Sequence, residues 1–279
     1  MKKKRILTLV VVILLLSGMS LLLYPSVSDY LNRVNRTANI SAYVDSVSNI
    51  SETDYRMYLD RAVAYNEKLA SQPAHWRLND EEMTEYESQL NFSENGVISY
   101  IEIPKLNCSL PIYHGISEDV LQIAIGHLEG SSLPVGGKSS HCVISGHRGL
   151  PTAKLFSNLD KLVEGDVFTL RTLDETLSYE VDQIKIVEPT ETQPLQIVPG
   201  QDLCTLMTCT PYGVNSHRLL VRGKRVDDPK SIEIRVTADA LVIDPLIVAS
   251  VIFALVIPFI IIATVILLTG KKSRKGDAA

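Results

Sequence analysis

Leu203-Cys204-Thr205-Leu206-Met207-Thr208-Cys209-Thr210-Pro211-Tyr212-Gly213 is the stretch on which the reading of this chain turns. Leu203 to Thr208 is an apolar, Thr-rich run of strand type, and Cys209 ends it at a Pro/Gly turn. After Asn215-Ser216-His217-Arg218 a second strand run follows, Leu219 to Val226. A hairpin here returns Arg218 close to Cys209. Upstream the same texture predicts strands at Val97 to Ile103, His141 to Ser145, Asp166 to Thr172 and Leu177 to Val187. In the last of these Glu180, Asp182 and Lys185 interleave with Val181, Ile184 and Ile186, as in a half-buried strand. Short strands with frequent turns favour a barrel or sandwich over a parallel α/β sheet. The β-rich domain is placed at 96–240.

Before it, residues 24–95 read as helical. Ser51-Glu52-Thr53-Asp54 has capping-box spacing. Tyr55, Tyr58, Leu59, Ala62 and Leu69 follow at helical intervals. Gln72-Pro73 is expected to end that helix, because a residue before proline resists the helical region. A further helical stretch is expected from Asp80 to Leu90, acidic at its start.

Two apolar runs flank this middle. Ile6 to Leu23 is uncharged and follows Lys2-Lys3-Lys4-Arg5; Leu246 to Thr269 is uncharged and precedes Lys271, Lys272, Arg274 and Lys275. A helix needs about 20 apolar residues to cross a bilayer. The second run, 246–269, meets this, and Pro258 within it is tolerable in a membrane helix. The first, within 1–23, also has the form of a signal peptide, but Ser26-Val27-Ser28 is a poor cleavage site, which favours an uncleaved anchor. Basic ends stay in the cytoplasm, so the tails, including 270–279, are expected inside and the middle outside.

The chain has 279 residues, 46% hydrophobic and 21% charged, with 15 Gly and 13 Pro. Disordered and low-complexity classes are excluded. Four cysteines are too few for a disulfide scaffold. Eight of the 27 basic residues but only one of the 32 acidic ones, Asp277, lie in the tails, leaving the middle at a net charge of −12. Nucleic-acid binding wants a basic face and is disfavoured.

Cys209 and His147 both sit where strand runs meet turns, His147 between two glycines in Ser145-Gly146-His147-Arg148-Gly149. A thiol with a pKa of about 8.5 needs a neighbouring base or cation to become a thiolate. Histidine can supply that and later protonate a leaving amine. Arginine stays protonated, so Arg218 suits a carbonyl or oxyanion donor.

On these residues the chain resembles a sortase. Thr205-Leu206-Met207-Thr208-Cys209 is similar to the family's Thr-Leu-x-Thr-Cys box, Arg218 to its arginine and His147 to its histidine. Pro111-Ile112-Tyr113-His114-Gly115, Gly126-His127-Leu128-Glu129-Gly130 and the two membrane runs resemble the class C, pilus-assembling sortases. The resemblance implies a mainly β protein, an eight-stranded closed barrel with short helices, preceded by the helical segment and flanked by two transmembrane helices. It implies a cysteine transpeptidase with Cys209 as nucleophile, His147 as general acid/base and Arg218 as carbonyl stabiliser. The implied substrate is a Leu-Pro-x-Thr-Gly-like signal cut between Thr and Gly, and the acceptor a pilin Lys amine. No metal or organic cofactor is implied, and the setting is a Gram-positive membrane with the catalytic domain outside.

One departure concerns the lid. Class C enzymes carry an Asp-Pro-aromatic motif near the helical segment, whereas Asp-Pro here occurs only at Asp228-Pro229 and Asp244-Pro245. Trp76 stands in the lid region as a substitute plug or a packing residue, and Thr208 is a further substrate-side candidate. Cys204 and Cys209, five apart on one strand, should face opposite ways. Cys142 and Cys204 are expected as buried thiols, a bridge between neighbouring strands being the alternative. Cys108, His114, His127 and His141 read as structural. A zinc site from His141, Cys142, Cys204 and Cys209 lacks the usual close cysteine spacing. The rivals to pilin polymerisation are attachment to cell-wall precursor, hydrolysis, and a non-catalytic pilus scaffold.

Overall fold

The computed structural model describes residues 2–72, 76–150 and 153–227. The first helix, α1 (Lys2–Asn49), runs on through Pro25. Its N-terminal part, to Tyr30, forms a unit of its own. There Ile13, Leu14, Leu15, Leu16, Leu21 and Leu22 are exposed, and the helix is long and apolar enough to cross a membrane. The expected second span, 246–269, lies outside the described residues.

A second compact unit begins at Leu31. It contains the end of α1, α2 (Glu52–Ala70), α3 (Asp80–Glu87), α4 (Glu118–Leu121) and eight strands. These are β1 (Val97–Ile103), β2 (Cys108–His114), β3 (Ile125–His127), β4 (Ser140–Ser145), β5 (Val167–Thr172), β6 (Glu175–Val187), β7 (Asp202–Thr210) and β8 (His217–Arg225). They close into one barrel in the order β1-β2-β3-β4-β7-β8-β6-β5. Closure leaves no open edge. The interior is filled by alternate residues, among them Ile101, Ile112, Ile144, Phe168, Leu206 and Val221, all fully or almost fully buried.

The local rules act as expected at α2. The Ser51 hydroxyl accepts from the Asp54 N–H and α2 stops at Ala70, three residues before Pro73. At α3 the Asn79 side chain accepts from Glu82 N while Glu82 accepts from Asn79 N, a complete capping box. The helix ends at Glu87, three residues before Leu90, which adopts a left-handed φ of 50°.

Both helices are tied to the barrel by polar groups. Asn66 on α2 accepts from Leu133 N at 2.7 Å and donates to Leu133 O at 3.1 Å. Tyr86 on α3 is 1% exposed. His127 Nε2 donates to the Ser132 carbonyl at 2.8 Å, which leaves Nδ1 to accept from the Tyr86 hydroxyl at 2.9 Å. The same hydroxyl accepts from Gly115 N at 3.0 Å. Tyr86→Phe therefore strands a buried N–H and a ring nitrogen. It should lower unfolding stability by about 1–3 kcal/mol, read from the denaturant midpoint; an unchanged midpoint would show that water replaces the hydroxyl.

Candidate active site

β7 and β8 pair antiparallel with Cys209 directly opposite Arg218 and Thr210 opposite His217. The hairpin inferred from sequence thus forms in the register that brings the two residues together. Strand alternation turns Cys204 and Leu206 into the barrel, both fully buried, while Met207 and Cys209 lie on the other face and are partly exposed. The Arg218 guanidinium donates through Nη1 to the carbonyls of Asn215 and His217, at 3.3 and 3.2 Å.

His147 comes from a strand more than fifty residues away. β4 pairs parallel with β7, with Ser145 opposite Met207. Beyond the strand end the chain stays fastened to β7. Gly146 N donates to Met207 O at 3.0 Å, the Thr208 hydroxyl donates to Gly146 O at 2.7 Å, and Arg148 Nη1 donates to Thr210 Oγ1 at 3.1 Å. Continuing the register by two residues would bring His147 level with Cys209. Gly146 allows the close approach: a Cβ there would stand 2.7 Å from Ile125 Cγ2 and 2.8 Å from Phe156 Cδ2. Arg148 is anchored on its other side by Asp160 Oδ2 at 2.7 Å.

The His147 side chain is mostly enclosed, and its Nε2 is buried without a hydrogen bond. Facing it, 3.6 Å away, is Oε1 of Glu118, the first residue of α4. Nothing in the sequence flags Glu118, since a four-residue helix carries no periodicity. Thr208, a substrate-side candidate by sequence, is 1% exposed with its hydroxyl engaged by Gly146. It is not offered to a ligand; it holds the His147 loop against β7, because alternation points it away from the Cys209 face.

Trp76 lies on the Cys209 face of the sheet. It packs against Val143, Val187, Leu195 and Leu220, together with Leu128 and Met207. Met207 precedes Cys209 by two residues on the same face, so this apolar floor runs toward the sulfur.

Among the described residues, Cys108, Cys142, Cys204, His114 and His141 lie away from the Cys209 end of β7. All four cysteines are free thiols. Cys142 and Cys204 are register partners in the interior, and burial raises the Cys204 thiol well above its ordinary pKa. Burial pushes Cys108 up to about 11. His141 donates from Nδ1 to Gln196 O and accepts at Nε2 from Thr205 Oγ1. Burial lowers it to about 4, so it stays neutral with both nitrogens used. Burial also brings His114 down to about 4. The four residues weighed as a zinc set do not converge: Cys142 and Cys204 face inward, and Cys209 faces out.

Comparison with known proteins agrees with this arrangement. The Sortase domain family model matches residues 101–226. Sortase C1 from Streptococcus agalactiae is 53% identical, with 67% of this chain and 96% of that one covered and a TM-score of 0.65. Sortase C from Clostridium perfringens, solved with the C-terminal cell wall sorting motif, is 44% identical over 69% of this chain and all of that one, with a TM-score of 0.61. Among curated proteins, Sortase D of Bacillus subtilis is 32% identical over 129 residues, which is 45% of this chain and 62% of that protein. The match thus spans less than two thirds of that relative. The chain belongs to the sortase family. The solved structures that it resembles are sortases of the C type.

Proposed function

We propose that this protein is a membrane-held cysteine transpeptidase that joins pilin subunits carrying Leu-Pro-x-Thr-Gly-like sorting signals. The observation that carries the reading is the convergence of Cys209, Arg218 and the His147 loop on one end of β7. The Cys209 thiolate attacks the Thr carbonyl carbon. Arg218 donates to the oxygen as it gains charge. The C–N bond to Gly breaks, the amine takes a proton from His147, and a thioester remains. A pilin Lys amine then attacks the thioester, gives its proton to His147 and restores the thiolate. The Clostridium perfringens sortase C solved with the C-terminal cell wall sorting motif supports this substrate class, and the 44% identity to a sortase C1 of a pilus island supports pilins as its source. The exposed apolar helix supports an anchor, and the basic residues Lys2 to Arg5 before it support a catalytic unit outside.

The test is a product analysis with the full chain in detergent, a Leu-Pro-x-Thr-Gly peptide and a pilin Lys donor. An isopeptide product supports the reading. Transfer only to a peptidoglycan amine would make it a cell-wall anchoring sortase. Release of free acid alone would make it a hydrolase, and peptide binding without a Cys209 adduct would make it a scaffold.

Trp76 is the lid element in this reading, supported by its packing in the same apolar cluster as Met207, two residues before Cys209 on the same face. A peptide must displace it, and exposing such a ring costs on the order of 1.5 kcal/mol. Trp76→Ala should therefore raise peptide turnover roughly tenfold. Unchanged turnover would reduce Trp76 to a packing residue.

A further inference from the structure

The mechanism above leaves one buried group unused. His147 has two ring nitrogens, and one of them, Nε2, is enclosed without any hydrogen bond. A buried polar nitrogen without a partner is costly. The one acid within ion-pair distance, among the described residues, is Glu118, at 3.6 Å. Its carboxylate does not swing freely, because Gln122 Nε2 donates to the same Oε1 from one helical turn further on. Gln122 is itself fixed as the C-cap of α4, its N–H bonded to Glu118 O.

We propose that Glu118 is a positioning residue for His147, with Gln122 holding it in place. The inference rests on the reading of Cys209 and His147 as nucleophile and acid/base. Glu118 faces Nε2, which leaves Nδ1 as the nitrogen that exchanges the proton with the Cys209 sulfur. When the thiol proton moves to Nδ1, the imidazolium carries N–H bonds on both nitrogens. Its Nε2–H then points at the Glu118 carboxylate. The carboxylate thus fixes the ring orientation and stabilises the charged ring. The proton count closes: one proton leaves sulfur, one arrives on Nδ1, and Glu118 exchanges none.

Glu118 is 69% exposed, and ion pairs with water access are weak. The expected effect is accordingly modest and needs a readout that acts through His147. That readout is the rate at which iodoacetamide alkylates Cys209 in the full chain in detergent, located by peptide mass, because only the thiolate reacts.

Glu118→Gln should slow alkylation about threefold to fivefold with an unchanged melting temperature, and Glu118→Asp should recover part of the loss. His147→Ala should slow it more. In the His147→Ala background Glu118→Gln should have no further effect, since residues acting through one group are not additive. Full-rate alkylation in Glu118→Gln, or an equal slowing in the His147→Ala background, overturns the assignment while leaving Cys209 and His147 in their roles. Unchanged alkylation in His147→Ala itself overturns both.

Discussion

Cys209→Ala should abolish the acyl adduct with a Leu-Pro-x-Thr-Gly peptide, while Cys204→Ala, five residues earlier on the same strand, should retain it. This is the sharpest chemical expectation from the fold. Both sulfurs lie on β7, but alternation puts Cys204 among the interior side chains and Cys209 on the outer face opposite Arg218. A peptide carbonyl has no route to a fully buried sulfur. Intact mass of the full chain after mixing is the measurement. The wild type should gain the mass of the acyl fragment, and Cys209→Ala should gain nothing. Removing a nucleophile that acts as a unit with its base costs many orders of magnitude in rate. Cys204→Ala should instead lower stability by about 1–2 kcal/mol through the small cavity it leaves. An adduct persisting in Cys209→Ala would refute the assignment of the nucleophile.

The second large effect is structural. Gly126→Ala should cost on the order of 3 kcal/mol or more and sharply reduce the yield of folded protein. A Cβ at position 126 would stand 2.0 Å from the Gly115 carbonyl oxygen. That oxygen belongs to the backbone, so no side-chain rotation relieves the clash. Gly126 sits in the middle of β3, paired with Tyr113 on one side and Ser145 on the other. Pushing β3 away from β2 therefore also disturbs the end of β4 that leads into His147. Chemical denaturation of the purified chain measures the loss. A shift below 1 kcal/mol would mean that β2 and β3 have more slack than their pairing shows.

The sequence made some of this architecture readable and hid the rest for identifiable reasons. Val97–Ile103 emerges with the expected bounds because its apolar residues face a sealed interior. β6 and β7 extend one or two residues beyond their apolar runs, through Glu175, Thr176 and Thr210, since pairing continues where hydrophobicity stops. β2 is hidden by Pro111 and by the polar start Cys108-Ser109, and β3 has only three residues, too few for any period. In the site, Cys209 and Arg218 were readable together because a hairpin is local. The place of His147 beside them was not, because it depends on a parallel pairing that no turn signal announces. Its strand-end context made His147 a candidate and the sortase resemblance joined it to Cys209, whereas Glu118 had neither motif nor pattern to mark it.

The parallel pairing of β4 with β7 also sets an order of events. Parallel neighbours cannot be joined by a tight turn, so more than fifty residues, including β5 and β6, separate the two strands along the chain. Contacts between such distant stretches form only after a costly loop closure. A chain delivered from its N-terminus presents α1, the Trp76 segment and His147 well before Cys209 arrives. Cys209, the proposed nucleophile, enters as the penultimate strand docks, and Arg218 follows on the last. On that reading the site is assembled only with the closing of the barrel.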